Sequence, residues 1–90
     1  MRSKSNRLQN RPEREAIIRQ VEAARIELSL SQRELSRRLG VHEMTIMRLA
    51  NGERMLDLIE FVDVARELGK EPGAFLTAIL RTAIASEKSQ

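Results

Sequence analysis

Residues 40–52 read GVHEMTIMRLANG, and this stretch decides how the chain is read. It opens on a glycine, a common left-handed stop for a preceding helix, and closes on Asn-Gly, a stop for its own. Ile46 and Leu49 are three residues apart and share one face of a helix. Glu43, Met44, Met47 and Arg48 fall on the opposite face. A helix made this way, over about 43–51, is held by one side and offers the other.

The preceding residues, SLSQRELSRRLG at 29–40, supply its partner. Ser31 and Glu34 have the S-x-x-E spacing of a capping box, Leu35 and Leu39 face inward, and Gly40 ends the helix. That predicts a short helix over 32–39. Only Gly40, Val41 and His42 separate it from the next, which is the sequence form of a helix-turn-helix. Working outward, Pro12 suits a first helical turn, and Glu13 and Glu15 suit its positive end. Ile17, Val21, Ala24 and Leu28 then recur at helical spacing, so a helix is expected over 12–28. Asp57 and Glu60 open a fourth helix with Leu58, Phe61, Val62, Ala65 and Leu68 as its apolar face, closed by Gly69. Pro72 starts a fifth, with Phe75, Leu76, Ile79, Leu80, Ala83 and Ile84 along one side. No segment alternates with the period of a strand. The expectation is an all-α domain of five helices over 12–85, a flexible basic arm over 1–11, and a frayed end over 86–90.

Composition narrows the function. Ninety residues with 41% hydrophobic side chains make one small domain. There is no cysteine and one histidine, so neither a disulfide framework nor a zinc site is expected. An enzyme is not expected either, since no catalytic constellation or phosphate loop can be assembled. No cofactor or small-molecule substrate is expected, and no apolar run is long enough for a membrane span or a secretory signal. A cytoplasmic location follows as the default. The net charge is +3, unevenly spread. Arg2, Lys4, Arg7 and Arg11 carry the arm, and Arg33, Arg37, Arg38, Arg48 and Arg54 outnumber the acids over 31–54. Residues 55–80 are acidic on balance. A basic front and an acidic rear suit a polyanion on one side. The two phenylalanines sit at core-type positions, which leaves no stacking platform for single strands.

The stretch RIELSLSQRELSRRLGVHEMTIMRLANGER, residues 25–54, resembles the helix-turn-helix of the Cro/CI-type (XRE) family, to which the lambdoid phage repressors belong. The likeness continues through LDLIEFVDVARELG and EPGAFL, over about residues 17–80. It implies a five-helix, lambda-repressor-like domain that binds double-stranded DNA as a dimer on a palindromic operator. It also implies roles by position. Glu43, Met44 and Arg48 stand where base edges are met, with Thr45 and Met47 beside them. Gln32 begins the first helix of the motif and contacts phosphate, often bracing the first residue of the next helix; Ser31 beside it is a phosphate candidate by its place at the positive end of that helix. Asn51 and the backbone after Gly52 clamp the opposite phosphate strand, and Arg54 joins that shoulder by its position in the sequence. His42 replaces the usual Ser or Thr cap and is a further phosphate candidate, and Arg38 is a weaker one. Ala50 stands where the family commonly has a glutamate that pairs with an arginine at the position of Arg25.

Two questions stay open at this level. Leu76, Ile79, Leu80, Ala83 and Ile84 exceed what one small core needs, which suggests a homodimer interface. They would otherwise pack back on the first helix around Ile17 and Ile18. The function expected is a sequence-specific transcription regulator, a repressor. The alternative is a protein-interaction module of the same fold, an antitoxin or anti-activator with a protein partner.

Overall fold

Helix ends in this chain are set by a few residues with unusual backbone, and those ends fix the path. In the computed structural model the backbone is described for residues 11–88 and the side chains through Ile84. The expected arm therefore lies outside the described residues, apart from Arg11. The described residues form α1 (Pro12–Glu27), α2 (Gln32–Leu39), α3 (Glu43–Ala50), α4 (Leu58–Glu67) and α5 (Pro72–Lys88), with no strand among them. The last helix runs on through Lys88, where fraying was expected from Ser86.

Gly40 has φ +73°, and its N–H donates to Arg37 O while Val41 N–H donates to Ser36 O. This pair of bonds closes the end of α2 and turns the chain out of the helix, and a left-handed residue is what makes it possible. The α1 end uses the same geometry without a glycine. Ser29 has φ +55°, Ser29 N–H donates to Ile26 O, and Leu30 N–H donates to Arg25 O. The turn is braced by Arg25, whose Nη1 donates to Leu30 O at 2.6 Å. The same guanidinium holds Glu22 at 2.7 Å, which answers the question of its partner in the absence of a glutamate at position 50.

This turn corrects one inward residue. Leu28 was expected to face the core but is exposed, because α1 ends at Glu27 and the left-handed turn brings Leu30 inside instead. A second correction falls on α4. Leu58 is 75% exposed, since it is the first residue after the Asp57 cap and precedes the buried face; Phe61, Val64, Ala65 and Leu68 are the ones that enter the core. The α4 capping box is complete, with Asp57 Oδ1 accepting from Glu60 N–H and Glu60 Oε1 accepting from Asp57 N–H. The α2 box is only half made. Ser31 Oγ accepts from Glu34 N–H, but the Glu34 carboxylate is drawn to Arg37 and Arg38.

One core joins Ala16, Val21 and Ala24 of α1, Leu35 of α2, Ile46 and Leu49 of α3, the α4 face, and Phe75, Ile79 and Ala83 of α5. Phe61 and Phe75 stack with ring centroids 5.8 Å apart. The most extensive helix–helix contact is between α1 and α5. Ile79 and Ala83, expected at a homodimer interface, are 1% and 3% exposed and belong to this core. Their period brings them to the α1 side, and the long α1 supplies the cover. Leu76 is half-buried, and only Leu80 and Ile84 of that set are exposed.

The left-handed Ser29 makes a stability prediction. A non-glycine residue at such a φ carries a strain of about 1–3 kcal/mol. Ser29→Gly is expected to raise Tm, the strain relief outweighing the extra chain entropy of glycine, which is about 0.5–1 kcal/mol. Thermal unfolding by circular dichroism measures this, and a lowered Tm contradicts it.

Candidate nucleic-acid interface

Three residues of turn set the position of α3. Its side toward the molecule is fixed by Ile46 and Leu49, both buried. The outer side then follows from helical spacing, and it is exposed: Glu43 and Arg48, Met44 at 51% and Met47 at 40%. Thr45 lies between the two sides and is half-buried. The structure brings Glu43, Met44, Thr45 and Arg48 together with His42 and Arg54 around one open concavity. Met47 is exposed but is not among the residues around it. His42 occupies the cap position of α3 without a side-chain cap bond.

The phosphate candidates divide by how their side chains are engaged. Ser31 is the α2 cap, with its oxygen taken by Glu34 N–H. Gln32 begins α2 and is half-buried; Asn51 is the exposed C-cap of α3. Behind Asn51, Gly52 N–H donates to Leu49 O and Glu53 N–H donates to Arg48 O. Those two amides close α3 and are not available to a phosphate, so the shoulder after Gly52 narrows to side chains and to later backbone. Arg38 Nε donates to Glu34 at 3.1 Å, and Arg54 Nη2 donates to Glu60 at 2.6 Å. Arg48, by contrast, has no ion pair or hydrogen bond from its guanidinium among the described residues.

The carboxylates in these pairs are perturbed accordingly. Hydrogen bonds from Arg37 and then Arg38 pull Glu34 down to about 2. The Arg54 hydrogen bond, followed by the Asp57 amide, holds Glu60 below its ordinary value. In turn Glu60 raises Arg54, and Glu34 raises Arg37.

Two residues at this surface were missed by the sequence reading. Arg14 Nη2 donates to Gly52 O at 2.9 Å, tying α1 to the loop after α3. Gly52 has φ +78°, and Arg14 and Ile18 line its Cα side, so the loop is seated on α1. No sequence signal joins residues 38 apart. The second is Arg33, whose Nε lies 3.6 Å from Glu43 Oε1 and so links the N-terminal ends of α2 and α3. The opposite charges were visible, but their closeness depends on the turn.

A helix presented this way over a small all-α core defines the helix-turn-helix class, and comparison with known proteins agrees. The Helix-turn-helix family model matches residues 21–75. A solved structure described as an XRE-family like protein from Pseudomonas syringae pv. tomato str. DC3000 is similar over 87% of this chain and 94% of its own, with 29% identity and a TM-score of 0.74. No curated protein matches by sequence. The chain belongs to the XRE-type helix-turn-helix family, a family of DNA-binding regulators. No helix among the described residues is long and apolar enough to cross a membrane.

The Arg54–Glu60 pair predicts a pH dependence. Glu60 titrates below its ordinary value in the folded chain, so its contribution is present above the ordinary carboxylate range and is lost as pH falls through the lowered value. Glu60→Ala should lower Tm at neutral pH by about 4–8 °C, the equivalent of about 1 kcal/mol for a lost cap partner in a domain of this size. The gap between variant and wild type should close in acid. A gap that stays constant from neutral pH to pH about 2 would mean the carboxylate charge contributes nothing.

Proposed function

We propose that the chain is a sequence-specific double-stranded DNA-binding transcription regulator, a repressor that binds a palindromic operator as a homodimer. In this reading α3 enters the major groove, which is wide enough for a helix and shows a distinct donor and acceptor pattern for each base pair. The observation that carries the reading is Arg48. It stands in the outer face of α3, exposed and unengaged among the described residues, while Ile46 and Leu49 fix the helix from behind. Glu43, Met44, Thr45 and Met47 flank it as further base-facing side chains. Gln32, Ser31 and His42 approach one phosphate strand and Asn51 and Arg54 the other, with Arg38 as a secondary contact. Leu80 and Ile84, with the half-buried Leu76, are the part of the α5 stripe open to a second copy.

Two variants test the reading. An arginine donating to guanine O6 and N7 is worth about 1–3 kcal/mol of discrimination. Arg48→Ala should therefore weaken binding to a duplex selected from a random pool by about 5- to 150-fold and relax the preference at one position per half-site, at unchanged Tm. If no duplex is ever selected by the wild type, the protein-interaction reading takes its place. Leu80→Glu should leave a folded monomer with reduced operator affinity, because two half-sites roughly 34–36 Å apart need two linked helices. Ile79→Ala should instead destabilise the fold by about 2–5 kcal/mol. A wild type that sediments as a monomer both free and on its duplex contradicts the homodimer.

A further inference from the structure

Glu43 is the first residue of α3 and faces the concavity with Arg48, yet it carries the same sign of charge as the DNA backbone. A duplex presents one negative charge per about 1.7 Å of its axis, so an unpaired carboxylate there is repelled. Arg33 changes that balance. Its Nε lies 3.6 Å from Glu43 Oε1, with side chains 84% and 53% exposed. The other ion pairs of α2, from Arg37 and Arg38 to Glu34, lie within that helix and leave α3 untouched. Arg33–Glu43 is the ion pair that crosses the turn among the described residues.

In water such an exposed pair adds little to stability. Against DNA its surroundings change. Water leaves the contact, the effective dielectric falls, and attraction between the two side chains grows. A guanidinium also has five N–H donors. With Nε toward Glu43, the remaining donors are available to a phosphate oxygen on the same strand side, where α2 begins. One arginine then bridges carboxylate and phosphate, and the carboxylate is neutralised and held in one orientation. Two base edges offer an amino donor in the major groove, cytosine N4 and adenine N6, and cytosine suits a carboxylate better because adenine sets its N7 acceptor beside the donor.

We propose that Arg33 is the positioning residue that makes Glu43 a cytosine reader. It offsets the repulsion between Glu43 and the backbone and aims the carboxylate into the groove. The inference rests on α3 being the DNA-reading helix and adds a residue and a base to that reading.

The test is a double-mutant cycle on the full chain with wild type, Arg33→Ala, Glu43→Gln and the double variant. Affinity is measured by fluorescence anisotropy on the duplex selected by the wild type. It is also measured on that duplex with each conserved cytosine replaced in turn, and on a scrambled duplex. Arg33→Ala should weaken binding to the selected duplex by about tenfold, a size within reach of coupled contact pairs. It should also erase the preference for cytosine at one position per half-site. In the Glu43→Gln background the same substitution should cost far less, because no charge is left to offset. All four proteins should share one Tm within the small range of exposed substitutions. Equal losses in both backgrounds, with a salt slope flattened by about 0.9, would make Arg33 a plain phosphate contact and overturn the proposal. An unchanged cytosine preference in Arg33→Ala would also overturn it. A wild type that selects no duplex removes this inference together with the DNA-binding reading, whereas a selecting wild type with an additive cycle removes this inference alone.

Discussion

The rest of the structure depends on the turn at Gly40. Its left-handed backbone lets Gly40 and Val41 close the end of α2, and only three residues separate α2 from α3. The buried Ser36 supports the closure from within, its hydroxyl donating to Arg33 O while its own carbonyl accepts from Val41 N–H. A β-carbon at position 40 meets no neighbour, so what a larger residue would lose there is conformational; a left-handed residue other than glycine costs about 1–2 kcal/mol. With the turn fixed, Leu35 and Ile46 share one core and the outer face of α3 follows without further instruction. A longer or looser turn would uncouple what α3 buries from what it shows.

Charge at this surface is arranged more tightly than a count of arginines suggests. Arg33, Arg37, Arg38 and Arg54 each have a carboxylate within reach, and Arg48 has none among the described residues. Exposed ion pairs contribute little net free energy, so exchanging a carboxylate for a phosphate at Arg37 or Arg38 costs little. Arg54 is different, since Glu60 is also a member of the α4 capping box. Releasing Arg54 to DNA would leave Glu60 to hold the α4 cap alone, which links the phosphate shoulder to the start of a core helix.

Much of the fold was legible because its signals are local. Pro12, Ser31, Asp57 and Pro72 mark helix starts, and Gly40, Asn51-Gly52 and Gly69 mark ends, all within about a residue of where the helices lie. The outward positions of α3 were legible for the same reason, since period alone places Glu43, Met44, Met47 and Arg48 opposite Ile46 and Leu49. What was not legible depends on backbone that side-chain type does not advertise. Serine is an uncommon left-handed residue, so the turn that exchanges Leu28 for Leu30 has no sequence mark. Arg14 on Gly52 O and Arg33 on Glu43 arise only after the helices are docked. The half-made box at Ser31 shows competition: Glu34 has the right spacing for the cap, but two arginines one turn on offer it charge-assisted bonds.

The apolar stripe on α5 shows how far periodicity carries and where it stops. Phe75, Leu76, Ile79, Leu80, Ala83 and Ile84 lie on one side of the helix, and spacing alone treats them as one surface. A second helix covers only part of such a stripe. Ile79 and Ala83 are buried on the helix that packs most extensively against the sixteen-residue α1, and Phe75 stacks on Phe61. Leu80 and Ile84 lie one position further round and stay in water. The split follows from the length of α1, which puts two helices side by side where a shorter first helix would leave α5 bare. The same helix also fixes two loops, through Arg14 on Gly52 and Arg25 on Leu30. Ala50 leaves no carboxylate at the end of α3 to receive Arg25, and α1 meets that need from within itself by placing Glu22 one turn earlier. The side of α3 toward α1 is consequently apolar: Ile46, Leu49 and Ala50 border a void of about 20 Å³ with Ile17, Ile18 and Val21. The seat of α3 on α1 is therefore set by shape, and the charges that remain on α3 are on the face that points away.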